Sequence, residues 1–403
     1  MKVGFISLGC AKNLVNTEQM MALCLQAGIT VQEDCPGSDV VVINTCGFID
    51  SAKSEAIDTI LSAAQLKDAG EIQKILVTGC LSQRYQADIL DELPEIDGIM
   101  GTGCFGDIVP ALEQVMNGQE CRHFADINGP VEELPRVLST PRQYAYLRIA
   151  EGCSNRCAYC VIPSLRGNYR SRRMEDILQE AQALADDGVQ ECIVIAQDIT
   201  RYGMDLYGER KLPELLRALC RLPFHWIRLH YLYPDNLSDE LIDTIAGEEK
   251  ICNYLDIPIQ HCSERVLASM GRSGSTEQLR ELFARLRREI PGMVLRTTGM
   301  CGFPGETDEE ADELYDFIQE EEFDYTSVFA YSQEDGTKAA RMEDQVDEDV
   351  KLERTQRLMD LVEQLGFSAT AKHVGERVRV IIDGAEEGED GPELIGHAWF
   401  QAP

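Results

Sequence analysis

The sequence predicts an α/β protein with three parts: a parallel βαβ domain, a βα barrel or partial barrel, and a small C-terminal β module. Three observations support this fold class. Apolar runs are interleaved with segments of helical spacing over residues 1–110, and the same interleaving restarts at Tyr144. Fully apolar strands between amphipathic helices are typical of parallel sheets that are buried on both faces. From Gly375 the apolar residues alternate with a period of two, which is typical of a half-buried strand.

The first part, residues 1–121, is predicted to be a βαβ domain. Its predicted strands are Lys2–Leu8, Asp39–Asn44 and Lys74–Thr78, and its predicted helices are Asn16–Ala27 and Ser51–Ala64. Residues 122–143 contain three prolines and little periodicity, so we interpret them as a linker.

The second part, residues 144–374, is predicted to be the barrel or partial barrel. Its predicted strands are Tyr146–Ile149, Glu191–Ile195, Trp226–Leu229, Tyr254–Ile257, Met293–Thr297 and Tyr325–Phe329. Predicted helices include Met174–Asp187, Thr276–Glu289 and a closing helix Thr355–Val374. Such a barrel places its active site at the carboxyl ends of the strands. The strand Gly375–Ile382 opens the third part, residues 375–403, which is too short to close a barrel of its own.

The composition is strongly acidic. The chain has 37 Lys and Arg against 70 Asp and Glu, a formal net charge of −33. This charge disfavours nucleic acids and anionic membranes as partners and favours a basic partner. Residues 306–350 hold 18 acidic residues against two basic ones, which we interpret as a solvated helix face. No apolar segment is long enough for a membrane span or a signal peptide, so we expect a cytoplasmic protein whose cysteines stay reduced.

The strongest motif among the 15 cysteines is CxxxCxxC, formed by Cys153, Cys157 and Cys160 just after the first predicted barrel strand. Three thiolates at this spacing suit three corners of a cubane iron–sulfur cluster whose fourth iron is open to another ligand. The alternatives are chance clustering and a zinc site. Zinc favours a fourth nearby Cys or His, and the next forty residues offer only Cys192.

A second set of three cysteines lies in the first domain. Cys10, Cys46 and Cys80 each follow a predicted strand, and each is adjacent to a glycine. Because parallel strands end at one edge of their sheet, these thiols are expected to converge there and to form a second three-thiolate site. Cys104 follows a possible fourth strand, where it is either a further ligand or a buried thiol.

The CxxxCxxC motif, with Tyr159 before its last cysteine, resembles that of the radical S-adenosylmethionine enzymes. In that superfamily the open iron binds S-adenosylmethionine, and reductive cleavage of this cofactor gives a radical that abstracts hydrogen from an unactivated carbon. No side-chain base can deprotonate such a carbon, so the cofactor carries the chemistry. The resemblance implies cofactor contacts at Tyr159, at Gln197 and Asp198 after the second strand, and at Glu306 in the turn after the fifth. Ordinary loop roles for the last three are the alternative.

The two cysteine sets together resemble those of the methylthiotransferases, over essentially the whole chain. That family has an N-terminal auxiliary-cluster domain, a central radical barrel and a C-terminal TRAM module, which is expected here to be cut short after Pro403. The resemblance implies two 4Fe-4S clusters held by the six cysteines, with S-adenosylmethionine as cofactor, and it names no catalytic side chain. The family's usual residues are replaced at Asn16, Thr17 and Ser154, none of which is a ligand position.

Two branches of this family modify different substrates: an adenosine of transfer RNA, or an aspartate of a small-subunit ribosomal protein of the uS12 family. The stretches Ser7–Val15, Cys160–Gly167 and Ala196–Gly203 resemble the ribosomal-protein branch. Residues 375–403 have seven acidic residues against two basic ones, a poor surface for phosphates. We therefore expect methylthiolation of an aspartate β-carbon in a basic ribosomal protein, with an external electron donor. The alternatives are the transfer-RNA enzyme and a non-enzymatic iron–sulfur redox carrier or sensor, which leaves two open three-cysteine sites unexplained.

One local basic patch follows the CxxxCxxC motif. It consists of Arg166, Arg170, Arg172 and Arg173. We expect one or more of them to bind a carboxylate of the cofactor or of the target aspartate through bidentate contacts. The alternative is a row of surface arginines before a helix.

Overall fold

The computed structural model of the chain describes residues 1–32, 34–86, 88–388 and 391–403. The chain divides into two compact units. The N-terminal unit comprises Met1–Ser139, Glu151–Ser154 and Cys160–Arg170, and the C-terminal unit comprises Thr140–Ala150, Asn155–Tyr159 and Ser171–Pro403. The CxxxCxxC motif therefore contributes residues to both units.

The N-terminal unit is a parallel sheet with helices on both faces. Its strands are β1 (Lys2–Ser7), β2 (Thr30–Gln32), β3 (Val40–Thr45), β4 (Lys74–Gly79), β5 (Gly98–Met100) and β6 (Arg122–His123), in the spatial order β2-β1-β3-β4-β5-β6. Its helices are α1 (Ala11–Gln26), α2 (Asp50–Asp68), α3 (Cys80–Tyr85), α4 (Asp88–Glu92), α5 (Ile108–Met116) and α6 (Ile162–Arg166). The predicted parallel βαβ fold of this part is confirmed.

The central strands of this sheet carry continuous apolar runs because both of their faces are covered. Val40 and Val42 pack with residues of α1 and α5 on one face, whereas Val41 and Ile43 pack with residues of α2 on the other. A strand buried on both sides gains from an apolar side chain at every position, which explains the continuous run in β3.

Several boundaries in this unit differ from the prediction. α1 begins at Ala11, five residues before the predicted Asn16, so that the helix starts directly after Cys10. The short helix α3 was not predicted, and it starts at Cys80 itself. Both helices begin at a turn that contains a glycine with positive φ. The periodicity of the sequence does not predict such a turn, because it reports only on which residues of a helix or strand are buried.

The C-terminal unit contains a sheet of six parallel strands, in chain order. These are β7 (Tyr144–Arg148), β10 (Glu191–Ile195), β11 (Trp226–Leu229), β12 (Ile251–Asp256), β13 (Val294–Cys301) and β14 (Tyr325–Ala330); the two-residue strands β8 (Ala150–Glu151) and β9 (Arg170–Ser171) come after β7 in the chain. The helices are α7 (Met174–Asp186), α8 (Leu212–Leu219), α9 (Asp239–Gly247), α10 (Glu264–Ser269), α11 (Thr276–Glu289), α12 (Asp308–Glu321) and α13 (Glu348–Ala371). All six predicted strands are present, and the sheet has the strand order of a partial barrel.

Several elements of this unit are longer than predicted, and β13 and α13 show the largest extensions at one end. β13 extends to Cys301, four residues beyond the predicted Thr297, because it pairs with β14 along the whole length of that strand. α13 begins at Glu348, seven residues before the predicted Thr355, where the Asp347 side chain caps the helix by accepting from the Asp349 N–H.

The C-terminal module is an antiparallel hairpin of β15 (Val380–Gly388) and β16 (Gly391–Ala398). Ile381 and Ala398 pack with Trp226 and Tyr254 of the barrel sheet in one hydrophobic cluster. The small β module is therefore present, and its first strand begins five residues after the predicted Gly375.

Residues 124–143, all of which the structure describes, contain no helix or strand. Part of this segment is held on α1, where the buried carboxylate of Glu18 accepts from Arg136 Nε (2.7 Å) and from the backbone N–H of Ser139 (2.8 Å). Among the helices of the described residues, none is both long and apolar enough to cross a membrane.

Candidate functional site

The first cysteine set lies at one edge of the N-terminal sheet. β1, β3 and β4 are parallel neighbours, so their carboxyl ends lie at the same edge. Cys10 lies between β1 and α1, directly before the helix. Cys46 directly follows β3, and Cys80 directly follows β4. The structure thus brings together the three strand ends that carry the predicted ligands.

Two glycines allow the loops of this set to approach one another closely. Gly9 has a φ of 85°, and a Cβ placed on it would lie 2.7 Å from the Cβ of Cys46. A Cβ on Gly47 would lie 2.9 Å from the backbone nitrogen of Leu81, the residue after Cys80. A side chain at either glycine would therefore push two of the cysteine loops apart.

The fully buried side chain of Asn13 connects all three loops. Its Nδ2 donates to the carbonyl of Leu8, two residues before Cys10, at 2.9 Å, and to the carbonyl of Thr45, next to Cys46, at 3.0 Å. Its Oδ1 lies 3.9 Å from the Sγ of Cys80. Sequence reasoning missed this residue, although it lies only three positions after Cys10 in a motif that the sequence singles out.

The three thiols differ in their electrostatic surroundings. Desolvation by the surrounding protein acts against ionisation of Cys10, but the charges of Lys12 and Arg166 hold its pKa below the usual value. Burial raises the pKa of Cys46, and it raises the pKa of Cys80 to about 11 although Arg166 opposes this effect. The surroundings therefore favour the thiolate of Cys10 and the neutral thiols of Cys46 and Cys80, and a bound cluster would require all three to be deprotonated.

The residues of this set fit an iron–sulfur cluster with three protein thiolates. Within the described ranges, no group of three or more His, Cys, Asp or Glu side chains is arranged to hold one metal ion. A cubane cluster makes a different demand, because each protein thiolate binds a separate iron atom. The three cysteines follow strands that end at one sheet edge, and the cationic side chain of Arg166 acts on the thiols of Cys10 and Cys80. This donor set suits a [4Fe–4S] cluster with three protein ligands.

The second cysteine set follows β8, and each of its three thiols is half-buried. In the N-terminal unit, the backbone N–H of Cys153 donates to the carbonyl of Gly167 at 3.1 Å. In the C-terminal unit, the side chain of Asn155 donates to the carboxylate of Asp198 at 3.0 Å. Three accessible thiols within eight residues also suit a cluster with three protein ligands. The contact at Asn155 ties this loop to the end of β10, where Asp198 was predicted to act.

An arginine that sequence reasoning missed lies beside this second set. Nη1 of Arg272 is 3.8 Å from the Sγ of Cys157 and 3.5 Å from the hydroxyl of Tyr159, and Nη2 donates to the carbonyl of Pro258 at 2.6 Å. The guanidinium also lies 4.2 Å from the ring centre of Tyr233. Arg272 is 115 residues from Cys157 in the chain, so no local pattern could have indicated this contact.

Tyr159 and the turn after β13 share one hydrophobic cluster in the C-terminal unit. Tyr159 packs against the group that contains Met270, Tyr331 and the turn residue Phe303. Two of the predicted cofactor-binding segments are thus neighbours. Gln197 lies two residues after the end of β10 and is half-buried. Cofactor binding by Tyr159 and Gln197 stays a prediction.

The carboxylate of Glu306 points back into its own turn. It accepts from the backbone N–H of Gly302 at 2.9 and 3.0 Å and from Nη1 of Arg354 at 2.8 Å. Burial raises its pKa, against the opposing effect of these donors. In the structure Glu306 closes the turn before α12, and its contact with the cofactor stays a prediction.

The four arginines of the predicted basic patch are not all surface residues. Arg166 and Arg172 are buried, and Arg172 donates to the carbonyl of Arg148 and to Glu180, both at 2.6 Å. The alternative of a row of four surface arginines therefore does not hold for Arg166 and Arg172, and binding of a cofactor or target carboxylate by this patch stays a prediction.

Cys104 is an interior thiol. Its Sγ donates to the carbonyl of His123 at 3.0 Å, and burial raises its pKa to about 11. Of the two readings of this cysteine, the contacts favour the buried thiol.

Two family models match the chain. The model described as the Radical SAM superfamily matches residues 147–318, and the model described as Uncharacterized protein family UPF0004 matches residues 2–101.

Known proteins resemble the chain along its whole length. The protein named ribosomal protein uS12 methylthiotransferase RimO from Pelotomaculum thermopropionicum is 49% identical over 415 residues, which cover 100% of this chain and 93% of the relative. The protein of the same name from Lachnoclostridium phytofermentans is 45% identical over 405 residues, with 100% and 92% covered. Among solved structures, the radical S-adenosylmethionine methyltransferase TsrM from Kitasatospora setae has a TM-score of 0.60 at 15% identity, and the match covers 81% of this chain and 72% of that one. At that identity the likeness shows the fold alone.

Proposed function

Because the chain belongs to the family of the ribosomal protein uS12 methylthiotransferases, within the radical S-adenosylmethionine superfamily, we propose that it attaches a methylthio group to the β-carbon of an aspartate in uS12. The observation that carries this proposal is the presence of two separate three-cysteine sets, one at the edge of the N-terminal sheet and one after β8. A carrier of electrons does not need two clusters that each lack a fourth protein ligand.

The two sets have different roles in this proposal. Residues 1–121 hold the auxiliary cluster through Cys10, Cys46 and Cys80, and residues 144–374 hold the radical cluster through Cys153, Cys157 and Cys160. The radical cluster and S-adenosylmethionine together supply a hydrogen-abstracting radical, which no side chain of this protein could replace.

The chain's own residues orient the loops that carry the two cysteine sets. Asn13 holds the three loops of the auxiliary set in register, and the Asn155–Asp198 contact anchors the radical loop to β10. Tyr159, Gln197 and Glu306 are the proposed cofactor contacts, and Glu306 also closes its own turn by accepting from the N–H of Gly302. We also propose an external electron donor, because cleavage of the cofactor is reductive. A cytoplasmic location is proposed because cluster thiolates require reducing surroundings.

The main alternative substrate, transfer RNA, is disfavoured by charge. The chain carries a formal net charge of −33, and a phosphate-binding protein needs a local excess of Lys or Arg. Many acidic residues after Glu306 already pair with arginines of the same unit, for example Glu310 with Arg265 and Glu320 with Arg280. The remaining negative charge still favours a basic protein over a polyanion.

We therefore expect the association rate with purified uS12 to fall as salt is added from 0.1 to 1 M. The Debye length shrinks from about 10 Å to about 3 Å over that range, so electrostatic steering of a basic partner is largely screened. Binding of uS12 and of transfer RNA is measured in parallel across the salt series. Transfer RNA that binds more tightly than uS12 at 0.1 M would move the assignment to the transfer-RNA branch.

A further inference from the structure

We propose that Arg166 is a positioning residue of the auxiliary cluster, and that its buried charge raises the reduction potential of that cluster. This inference rests on the proposed assignment of the cluster to Cys10, Cys46 and Cys80. It gives Arg166 a role toward the cluster that is separate from the carboxylate binding expected of the basic patch.

Arg166 is 3% exposed and is held within the N-terminal unit by side-chain acceptors. Nη1 donates to Oδ1 of Asn16 at 2.8 Å and to Oε2 of Glu151 at 3.2 Å, and Nη2 donates to Oδ1 of Asn13. The guanidinium also lies 5.8 Å from the ring centre of Phe105. With contacts on several sides, this side chain has one position rather than many.

The acceptors of Arg166 are the residues that organise the cysteine loops. Asn13 binds the carbonyls of Leu8 and Thr45 and approaches the Sγ of Cys80, as described above. The guanidinium is therefore fixed relative to all three loops through a single amide. Its positive charge favours the ionised forms of Cys10 and Cys80, and Oδ1 of Asn13, which accepts from Arg166, lies 3.9 Å from the Sγ of Cys80.

The carboxylate partner of Arg166 is Glu151, itself 8% exposed, at 3.2 Å. Three thiolates and a bound cluster would add negative charge near the guanidinium. A cluster gains one negative charge on reduction, so a fixed cation in a poorly solvated site stabilises the reduced form.

The simplest alternative is that Arg166 only closes a buried ion pair with Glu151. That role would make Arg166 important for folding but would leave the potential of the cluster unchanged. The two roles are separated by replacing each partner with a neutral residue of similar size, because removal of the cation and removal of the anion must shift the potential in opposite directions.

The test uses the full chain carrying Cys153→Ala, Cys157→Ala and Cys160→Ala, so that one cluster gives the whole signal. Arg166→Gln, Arg166→Lys, Glu151→Gln and the control Arg122→Gln are reconstituted anaerobically with iron and sulfide. Arg122 lies in the same unit, is largely exposed, and pairs with Glu120. Iron per chain is measured, and the midpoint potential is measured by electron paramagnetic resonance during a mediated redox titration.

We expect Arg166→Gln to lower the ratio of reduced to oxidised cluster at a fixed potential about tenfold, equivalent to about 59 mV for one electron. Glu151→Gln should raise that ratio, while Arg166→Lys and Arg122→Gln should stay near the parent. If Arg166→Gln cannot hold a cluster, Arg166→Lys must still hold one at the parent potential. The proposal is overturned by an unchanged potential in Arg166→Gln, by shifts of the same sign in Arg166→Gln and Glu151→Gln, or by equal effects of Gln and Lys at position 166.

Discussion

Replacement of Cys153, Cys157 and Cys160 by alanine is expected to remove about half of the iron and all formation of 5′-deoxyadenosine. The parent should hold two four-iron clusters, near eight irons per chain, because it has two independent three-thiolate sets. Removing the set after β8 leaves the other set at the edge of the N-terminal sheet intact, since its ligands follow β1, β3 and β4. Iron analysis and chromatography of the cleavage products measure the two effects.

A matched control for this triple variant is Cys220→Ala, which replaces a half-buried thiol at the end of α8. It should retain both the iron and the cleavage activity. Iron content equal to that of the parent in the triple variant would show that these cysteines hold no cluster, and the radical assignment would fail.

Replacement of Cys10, Cys46 and Cys80 by alanine is expected to abolish methylthio transfer while reductive cleavage of S-adenosylmethionine continues. In the proposed assignment the open iron needed for cleavage belongs to the other set, so loss of the auxiliary cluster should remove the sulfur-handling site alone. Product formation on uS12 and 5′-deoxyadenosine formation are measured in the same reaction mixture. About half of the iron should remain.

Cys104→Ser is the control for this second variant, because it keeps a hydrogen-bond donor toward the His123 carbonyl in the same unit. It should transfer the methylthio group as the parent does. A folded auxiliary triple variant that cleaves no cofactor would show that the two cysteine sets do not divide the reaction as proposed.

The convergence of the auxiliary cysteines could be predicted because it follows from topology. Cys10, Cys46 and Cys80 follow strands of one parallel sheet, and parallel strands end at one edge. The side chains that fix these thiols could not be predicted in the same way. Arg166 reaches Asn13 across 153 positions of the chain, and Arg272 reaches Cys157 across 115, and no periodic pattern encodes such pairings.

Arg166 also shows why residue type misleads at a buried site. The alternative interpretation of the four arginines at 166–173 is a solvated surface, because a guanidinium is rarely buried without partners. The partners of Arg166 are Asn13, Asn16 and Glu151, which satisfy its buried guanidinium. The sequence around Arg166 does not indicate that these residues lie next to it. Glu306 is a similar case, since its carboxylate is satisfied by the N–H groups of its own turn and by Arg354 from α13.

The most direct test of the proposed function is mass spectrometry of uS12 and of transfer RNA from cells that contain or lack this protein. We expect one aspartate of uS12 to carry a methylthio group in place of a hydrogen only when the protein is present, and the transfer RNA to be identical in both samples. Unmodified uS12 in both samples, or a methylthio group on transfer RNA that depends on the protein, would contradict the assignment.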